Sequence, residues 1–298
     1  MTKNDIYPPD EQKRAGVLDF LGNRFQRSLH TSVLGKSILS RSIDLYRIGF
    51  GKTNVLFVGA HHGSEYITAS VLYSFLLKFL ERDERYGKYC GIDTRIYKEL
   101  YSVYVIPALN PDGIEISLYG ITENPLEERQ RRMIAGGDHR LWQANARGVD
   151  LNHNYAMGFG EYKVIERERG IEPGATLYSG EFPESEPETR AILGLLRAVD
   201  FSLVVSLHTQ GEEIYAYPKN NGRVRSISAR LSSRLGYTLS EPLGTAAYGG
   251  LSDYTAGVMG IPSFTLELGT GVNPISDDNL GKITAKTDST LFLIPTWL

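Results

Sequence analysis

Four short apolar segments, at residues 55–59, 101–107, 201–207 and 263–268, constrain this chain more than any other feature. Each is rich in β-branched or aromatic residues and ends at a turn former or a polar residue, the pattern of a strand buried on both faces. Between them, apolar residues recur at helical spacing. Ile67, Val71, Phe75 and Phe79 fall every four residues, and Ile192, Leu195, Leu196 and Val199 share one face. Residues 223–236 read as a helix stopped by Gly236, 277–293 as another, and 11–25 as a helical stretch near the start. A possible strand at 43–48 precedes the first apolar segment. Strands alternating with helices imply a layered α/β domain with the sheet in the middle. From about 110 to 184 strand signals are few and Gly, Asn, Pro and charged residues many, so this stretch is expected to form long loops that carry the site.

With 298 residues, 41% of them hydrophobic, the chain has ample material for a core. Lys plus Arg is 32 and Asp plus Glu is 35, a formal balance of -3 that suggests neither a nucleic acid nor a membrane surface as partner. Runs of mixed sign at 127–132 and 166–169 fit solvated helix faces. The single cysteine, Cys90, precludes an intrachain disulfide and fits a reducing compartment. The first residues contain no apolar stretch of signal-peptide length, and no window approaches the roughly 18 apolar residues of a membrane span. A cytoplasmic protein is therefore expected, unless the sequence is a mature form whose leader has been removed.

The chemistry concentrates in four fragments. In Val58-Gly59-Ala60-His61-His62-Gly63-Ser64-Glu65 a strand turns into a helix, and His62 and Glu65, three apart, can converge on one point. An imidazole and a carboxylate meeting there suit zinc; the same spacing also occurs as a helix cap. His208 closes the strand at 201–207, at the end of the sheet where ligands bind, or merely terminates a core strand. Two histidines and one glutamate would leave zinc a fourth position for water. Glu267 lies inside the apolar strand 263–268, where an acid is costly to bury unless compensated. It reads either as a proton acceptor beside that water or as an ion-paired edge residue. In Arg147-Gly148-Val149-Asp150-Leu151-Asn152-His153, Asp150 is placed to take the free N–H of a ligating histidine, and Asn152 and His153 to hydrogen-bond a substrate carboxylate.

These fragments, in this order and together with Asn110-Pro111-Asp112-Gly113, make the chain resemble the zinc carboxypeptidase family over about residues 45–275. The resemblance implies a single α/β domain whose twisted, mixed but mostly parallel sheet of about eight strands is flanked by helices. Residues 46–298 would form this catalytic domain, with 1–45 an extension packed upon it. It further implies one zinc ion held by His62, Glu65 and His208, with Glu267 activating water. Where the family has an arginine that grips a terminal carboxylate, this chain has His153, a single titratable contact, so strong selection for a free C-terminus is not expected. Gln143 stands in for the family arginine that steadies the oxyanion, and Arg140 or Arg147 could supply the missing charge. The family's mobile tyrosine aligns with Thr245; Tyr248, in a Gly-flanked loop, is the candidate to replace it or else a packing residue. Ser252 at the specificity position suggests a polar pocket, and Thr209 is a further candidate substrate contact.

Asn152-His153-Asn154 and the stretch from Tyr178-Ser179-Gly180 to Glu186-Pro187-Glu188 look like the bacterial branch that cleaves γ-D-glutamyl-diamino acid bonds in cell-wall peptides. The expected substrate is a small peptide or muropeptide. An ordinary metallocarboxypeptidase or an amide deacylase is the nearest alternative. An inactive muropeptide-binding protein on the same fold is the alternative of another class. Gly35-Lys36-Ser37 is not a phosphate loop, because His30 occupies the required first glycine. The chain has neither a Gly-x-Ser-x-Gly elbow nor a His-Glu-x-x-His helix.

Overall fold

The computed structural model describes residues 1–122, 124–134 and 137–298. Eight strands build the central sheet: β1 (Leu29–Lys36), β2 (Ser42–Ile48), β3 (Thr53–Val58), β4 (Tyr101–Ile106), β5 (Phe201–His208), β6 (Glu213–Tyr217), β7 (Thr238–Leu239) and β8 (Ser263–Glu267). They lie in the order β1-β2-β4-β3-β5-β8-β6-β7. The inner four, β4, β3, β5 and β8, are mutually parallel. β1 with β2, β2 with β4, and β6 with β8 pair antiparallel.

The inner strands are buried on both faces because helices cover both. Along β3, Val55 and Phe57 belong to one apolar cluster with Val103, Val105 and Val205, whereas Leu56 and Val58 belong to a second with Tyr104, Ile106 and Val204. This alternation is the period of two of a pleated strand. Helices Glu11–Arg24, Ile67–Tyr86, Gly222–Leu235 and Asp278–Leu293 supply the first cluster, and Pro187–Ala198 and Leu251–Gly257 the second. The ring of Phe57 meets Phe75 edge-on, with centroids 5.7 Å apart. Gly236 ends its helix at φ 75°, a conformation cheap only for glycine. No helix among the described residues is long and apolar enough to cross a membrane.

Two expectations need correcting. A division at 45/46 falls inside β2, and β1 pairs with β2 from Leu29↔Ile48 to Lys36↔Ser42. Residues 29–45 are thus part of the sheet, and only the segment before β1 packs outside it, through Ile6, Val17, Leu21 and Phe25. The stretch 110–184 is also less irregular than its composition implies, since it contains helices Pro111–Tyr119, Glu127–Ile134 and Phe159–Arg169.

Buried carboxylates tie the sheet edge to the loops that bear the site. Asp112, fully buried, accepts from Ser37 Oγ (2.9 Å), the Leu39 backbone N–H (2.9 Å) and Arg41 Nη1 (2.9 Å), fastening the β1–β2 connection to the helix at 111–119. Asp112→Ala leaves that guanidinium without its buried partner and is expected to cost about 3 kcal/mol of stability. A denaturant midpoint unchanged from the parent would refute the anchoring role. Glu188 is fully buried too, accepting from the Ile38 N–H (3.2 Å) and Asn145 Nδ2 (3.3 Å), and among the described residues it forms no ion pair. Burial, with the charges of Asp112 and Glu186 nearby, pushes its carboxyl up from 4.5 to about 8. The folded state therefore holds the proton more tightly than the unfolded chain, and Glu188 makes stability fall as pH rises from 4.5 toward 8. Denaturation curves across that range are expected to show a shallower decline for Glu188→Gln than for the parent.

Candidate metal centre

β3, β5 and β8 are parallel and end on one edge of the sheet, which is where open α/β sheets bind ligands. β3 leaves through Gly59-Ala60-His61 to His62, which is extended (φ -99°, ψ 135°), and one turn of 3-10 helix, Gly63–Glu65, follows. The spacing of three thus closes on a 3-10 turn rather than the first turn of an α-helix. Ala60 sits at φ 47°, a strained position for a residue with a Cβ, which the surroundings must hold. Asn110 does much of the holding. Its Nδ2 donates to the carbonyls of His61 (3.0 Å), Gln143 (3.1 Å) and Ala144 (3.1 Å), and its Oδ1 accepts from the Gly113 N–H (2.9 Å). Gly63 must lack a side chain, because a Cβ there would lie 2.3 Å from the Gly113 carbonyl oxygen.

The turn brings Glu65 between two imidazoles. Oε1 lies 2.9 Å from His62 Nδ1 and Oε2 3.0 Å from His208 Nδ1, and one ligand atom from each residue falls within 4.8 Å of the others. Burial alone would raise the Glu65 carboxyl, but the two imidazoles outweigh it and hold Glu65 below the usual carboxylate range. Glu65 also accepts from the Thr209 backbone N–H (3.2 Å) and Asn273 Nδ2 (3.5 Å). His62 Nε2 is 3.1 Å from Asp150 Oδ1, so Asp150 would take the Nε2–H and leave Nδ1 to face a metal ion held beside Glu65. Asp150 is itself oriented by the N–H groups of Asn152 (3.1 Å) and Leu177 (3.0 Å). Burial opposes ionisation of Asp150, yet the neighbouring imidazoles of His62 and His153 and the Leu177 N–H keep it far below the ordinary range. Two imidazoles and a carboxylate, oriented this way and bracketed by negative charge, fit a zinc ion.

Glu267 ends β8 directly beside His208, its partner in register on β5. Burial, then the neighbouring Glu65 carboxylate, raises the Glu267 carboxyl well above the usual range, so it holds a proton readily. It lines a cavity of about 200 Å³ together with the three candidate ligands, Gln143, Asn152, His153 and Ser252. Gln143 accepts the Thr176 hydroxyl on Oε1, which leaves its Nε2 as a donor. The His153 ring stacks on Tyr162 (4.1 Å, 6°) and its Nδ1 is 2.8 Å from the Tyr248 carbonyl oxygen. Burial lowers the proton affinity of His153. Ser252 Oγ pairs with Thr265 Oγ1 at 2.9 Å.

Four expected contacts are not brought to this cavity. Arg147 forms an ion pair with Glu186 (2.9 Å) and lines a separate cleft, because that buried acid claims its guanidinium. Arg140 pairs with Asp138 on the surface. Thr209 is buried behind Glu65, with its hydroxyl donating to Asn273 Oδ1 (2.7 Å), so it positions a ligand. The Tyr248 ring lies toward Tyr162 and Gly158, and its carbonyl serves His153. Phenols of Tyr215 and Tyr217 on β6 line the cavity instead, as do Asp253 and Thr265. Sequence reasoning missed β6 because its short run Glu213-Ile214-Tyr215-Ala216-Tyr217 alternates polar with apolar and lacks a continuous apolar core. Asn273 carries no local signal at all.

Fold and site together define a three-layer α/β protein with a candidate zinc centre at the edge of its sheet. The sequence profile described as zinc carboxypeptidase matches residues 16–277, and the chain belongs to that family. It is 29% identical over 258 residues to γ-D-glutamyl-L-diamino acid endopeptidase 1 of Lysinibacillus sphaericus, covering 83% of this chain and 62% of that protein. It is 28% identical over 168 residues to the mouse carboxypeptidase N catalytic chain, covering 55% of this chain and 32% of that one. The chain therefore spans about three fifths of the endopeptidase and a third of the carboxypeptidase. Among solved structures, carboxypeptidase A from Helicoverpa armigera superposes with a TM-score of 0.70 at 19% identity, over 97% of this chain and 73% of that one. Murein-tripeptide amidase from Escherichia coli O157 superposes with a TM-score of 0.56 at 19% identity, over 88% and 91%. Both likenesses establish the fold. His208→Ala is expected to reduce zinc from one ion per chain to near none after dialysis, with circular dichroism unchanged. Full zinc retention would exclude His208 as a ligand.

Proposed function

We propose that this zinc peptidase hydrolyses an amide bond in peptidoglycan-derived peptides, the γ-D-glutamyl-meso-diaminopimelate bond. The observation that carries this reading is a metal centre with Glu267 beside it, opening on a polar cavity that has histidine and glutamine where the family's carboxypeptidases have arginines. The 29% identity to an endopeptidase named for that bond type supports it, and the fold shared with a murein-tripeptide amidase is compatible with it.

In this reading His62, Glu65 and His208 would hold zinc, which would supply Lewis acidity toward water and an amide carbonyl. Glu267 takes a proton from the attacking water and delivers it to the leaving amine, so that hydroxide ends on the carbonyl carbon and hydrogen on the nitrogen. Gln143 Nε2 donates to the oxygen on which charge develops. Asp150 keeps His62 in the tautomer that presents Nδ1.

Glu267→Gln is expected to keep its zinc while turnover falls on the order of 10³-fold, because one carboxylate makes both proton transfers. Near-parental turnover would remove Glu267 from the chemistry. Incubation with L-Ala-γ-D-Glu-meso-diaminopimelate should release free diaminopimelate, detected by mass spectrometry; recovery of intact peptide from zinc-loaded protein would count decisively against the assigned bond.

A further inference from the structure

We infer that His61, which has no part in the chemistry proposed above, is a positioning residue for the metal centre. Its ring, held by Tyr155 and Ser206, is the wall that sets the plane of His208. This rests on the metal-centre reading and is independent of the bond assigned.

The two imidazoles of the centre are oriented by different means. His62 has the Asp150 carboxylate behind it, 3.1 Å from Nε2. His208 turns Nδ1 toward Glu65 Oε2 at 3.0 Å, while its Nε2 is buried and hydrogen-bonds no described group. The far side of that ring is therefore not fixed by a carboxylate. Against its face lies the His61 imidazole instead, with centroids 5.3 Å apart and planes 26° from parallel. His62 meets the same ring edge-on, at 4.9 Å and 65°. Packed so, His208 has one comfortable plane, because rotation about Cβ–Cγ drives an edge of the ring into His61.

A wall must itself be fixed, and His61 is held on every side. It is fully buried, with Nε2 3.1 Å from the Tyr155 hydroxyl and Nδ1 3.4 Å from Ser206 Oγ. Both hydroxyls can donate or accept, so one meets the ring N–H and the other the lone pair, whichever tautomer the ring adopts. Ser206 stands two residues before His208 on β5, on the same face of the strand and opposite Val58 of β3. Tyr155 follows the turn Leu151–His153, and its ring packs 5.9 Å from that of Tyr254. The His61 carbonyl is the one that Asn110 Nδ2 binds at 3.0 Å. One side chain thus joins the exit of β3, the end of β5 and the loop that bears Asp150. A satisfied buried network of this kind contributes rigidity.

Zinc dissociation constants, measured by chelator competition without substrate, test this role. His61→Gln keeps hydrogen-bonding groups but no flat ring, and is expected to weaken zinc binding by about ten- to hundredfold. His61→Phe keeps a flat ring without the hydrogen bonds, and is expected to recover most of that loss. The visible spectrum of cobalt-loaded protein, which reports ligand geometry, should change in His61→Gln and stay near the parent's in His61→Phe. Leu196→Ala, in the apolar cluster that also holds Tyr155, is expected to lower the denaturation midpoint and leave zinc affinity unchanged.

Parental zinc affinity in His61→Gln overturns the role of His61, and so do equal losses in the Gln and Phe variants. A loss in Leu196→Ala as large as that in His61→Gln overturns it too, since lowered stability alone would then explain both. Should His61→Gln fail to fold, Tyr155→Phe releases one anchor of the ring and is expected to shift the cobalt spectrum; an unshifted spectrum overturns the proposal. Failure of the parent protein to bind zinc overturns the metal-centre reading itself.

Discussion

The parallel register between β5 and β8, with Glu267 directly opposite His208, is the constraint on which the rest of the site depends. A slip of one residue would turn one of these side chains to the other face of the sheet and part the proton acceptor from the metal centre. That register is secured by burial. Phe264 and Leu266 face one cluster of helices, and the same strand pairs on its other edge with β6. Hydrophobic packing on one face, through Leu207, Phe264 and Leu266, thus places two polar side chains on the other.

The third member arrives by a different route. His62 and Glu65 stand on a short turn with a strained residue at its start, and such a turn has little stability of its own. It is held from behind by Asn110, whose amide bonds three carbonyls, and by the absence of a side chain at Gly63. The loop at 110–113 and the loop at 143–153 are therefore parts of the metal centre, although none of their residues belongs to the triad. Asp150 joins the two functions: it orients His62 and is itself held by backbone N–H groups from the loops at 152 and 177.

Electrostatically the site is built to receive positive charge. Carboxylates bracket His62 on both ring nitrogens, and Glu267 is raised by burial and then by its nearness to Glu65. Asp150 and Asp253 line the same cavity, so its lining is rich in acidic side chains. Gln143 and His153 give the cavity hydrogen-bonding capacity without a fixed cation.

Local pattern was enough for the inner strands, the long helices and the residues that converge at the candidate metal centre, since continuous apolar runs and helical spacing report burial directly. The chemistry of His62, Glu65, His208 and Glu267 was legible for the same reason: polar side chains at the ends of apolar strands stand out. Strands β1 and β6 were not legible, because edge strands are half polar and acquire their structure from a neighbour distant in sequence. Nor could residue type alone separate Arg147, neutralised by Glu186, from a substrate contact, or reveal that cavity-facing phenols come from Tyr215 and Tyr217 instead of Tyr248. The sequence by itself determined the layered fold, the family and the metal-binding set, because each is written in local periodicity and residue chemistry. Only the tertiary structure decided which polar groups share a cavity and which are spent on one another, because hydrogen bonds and ion pairs are contests between residues far apart in the chain.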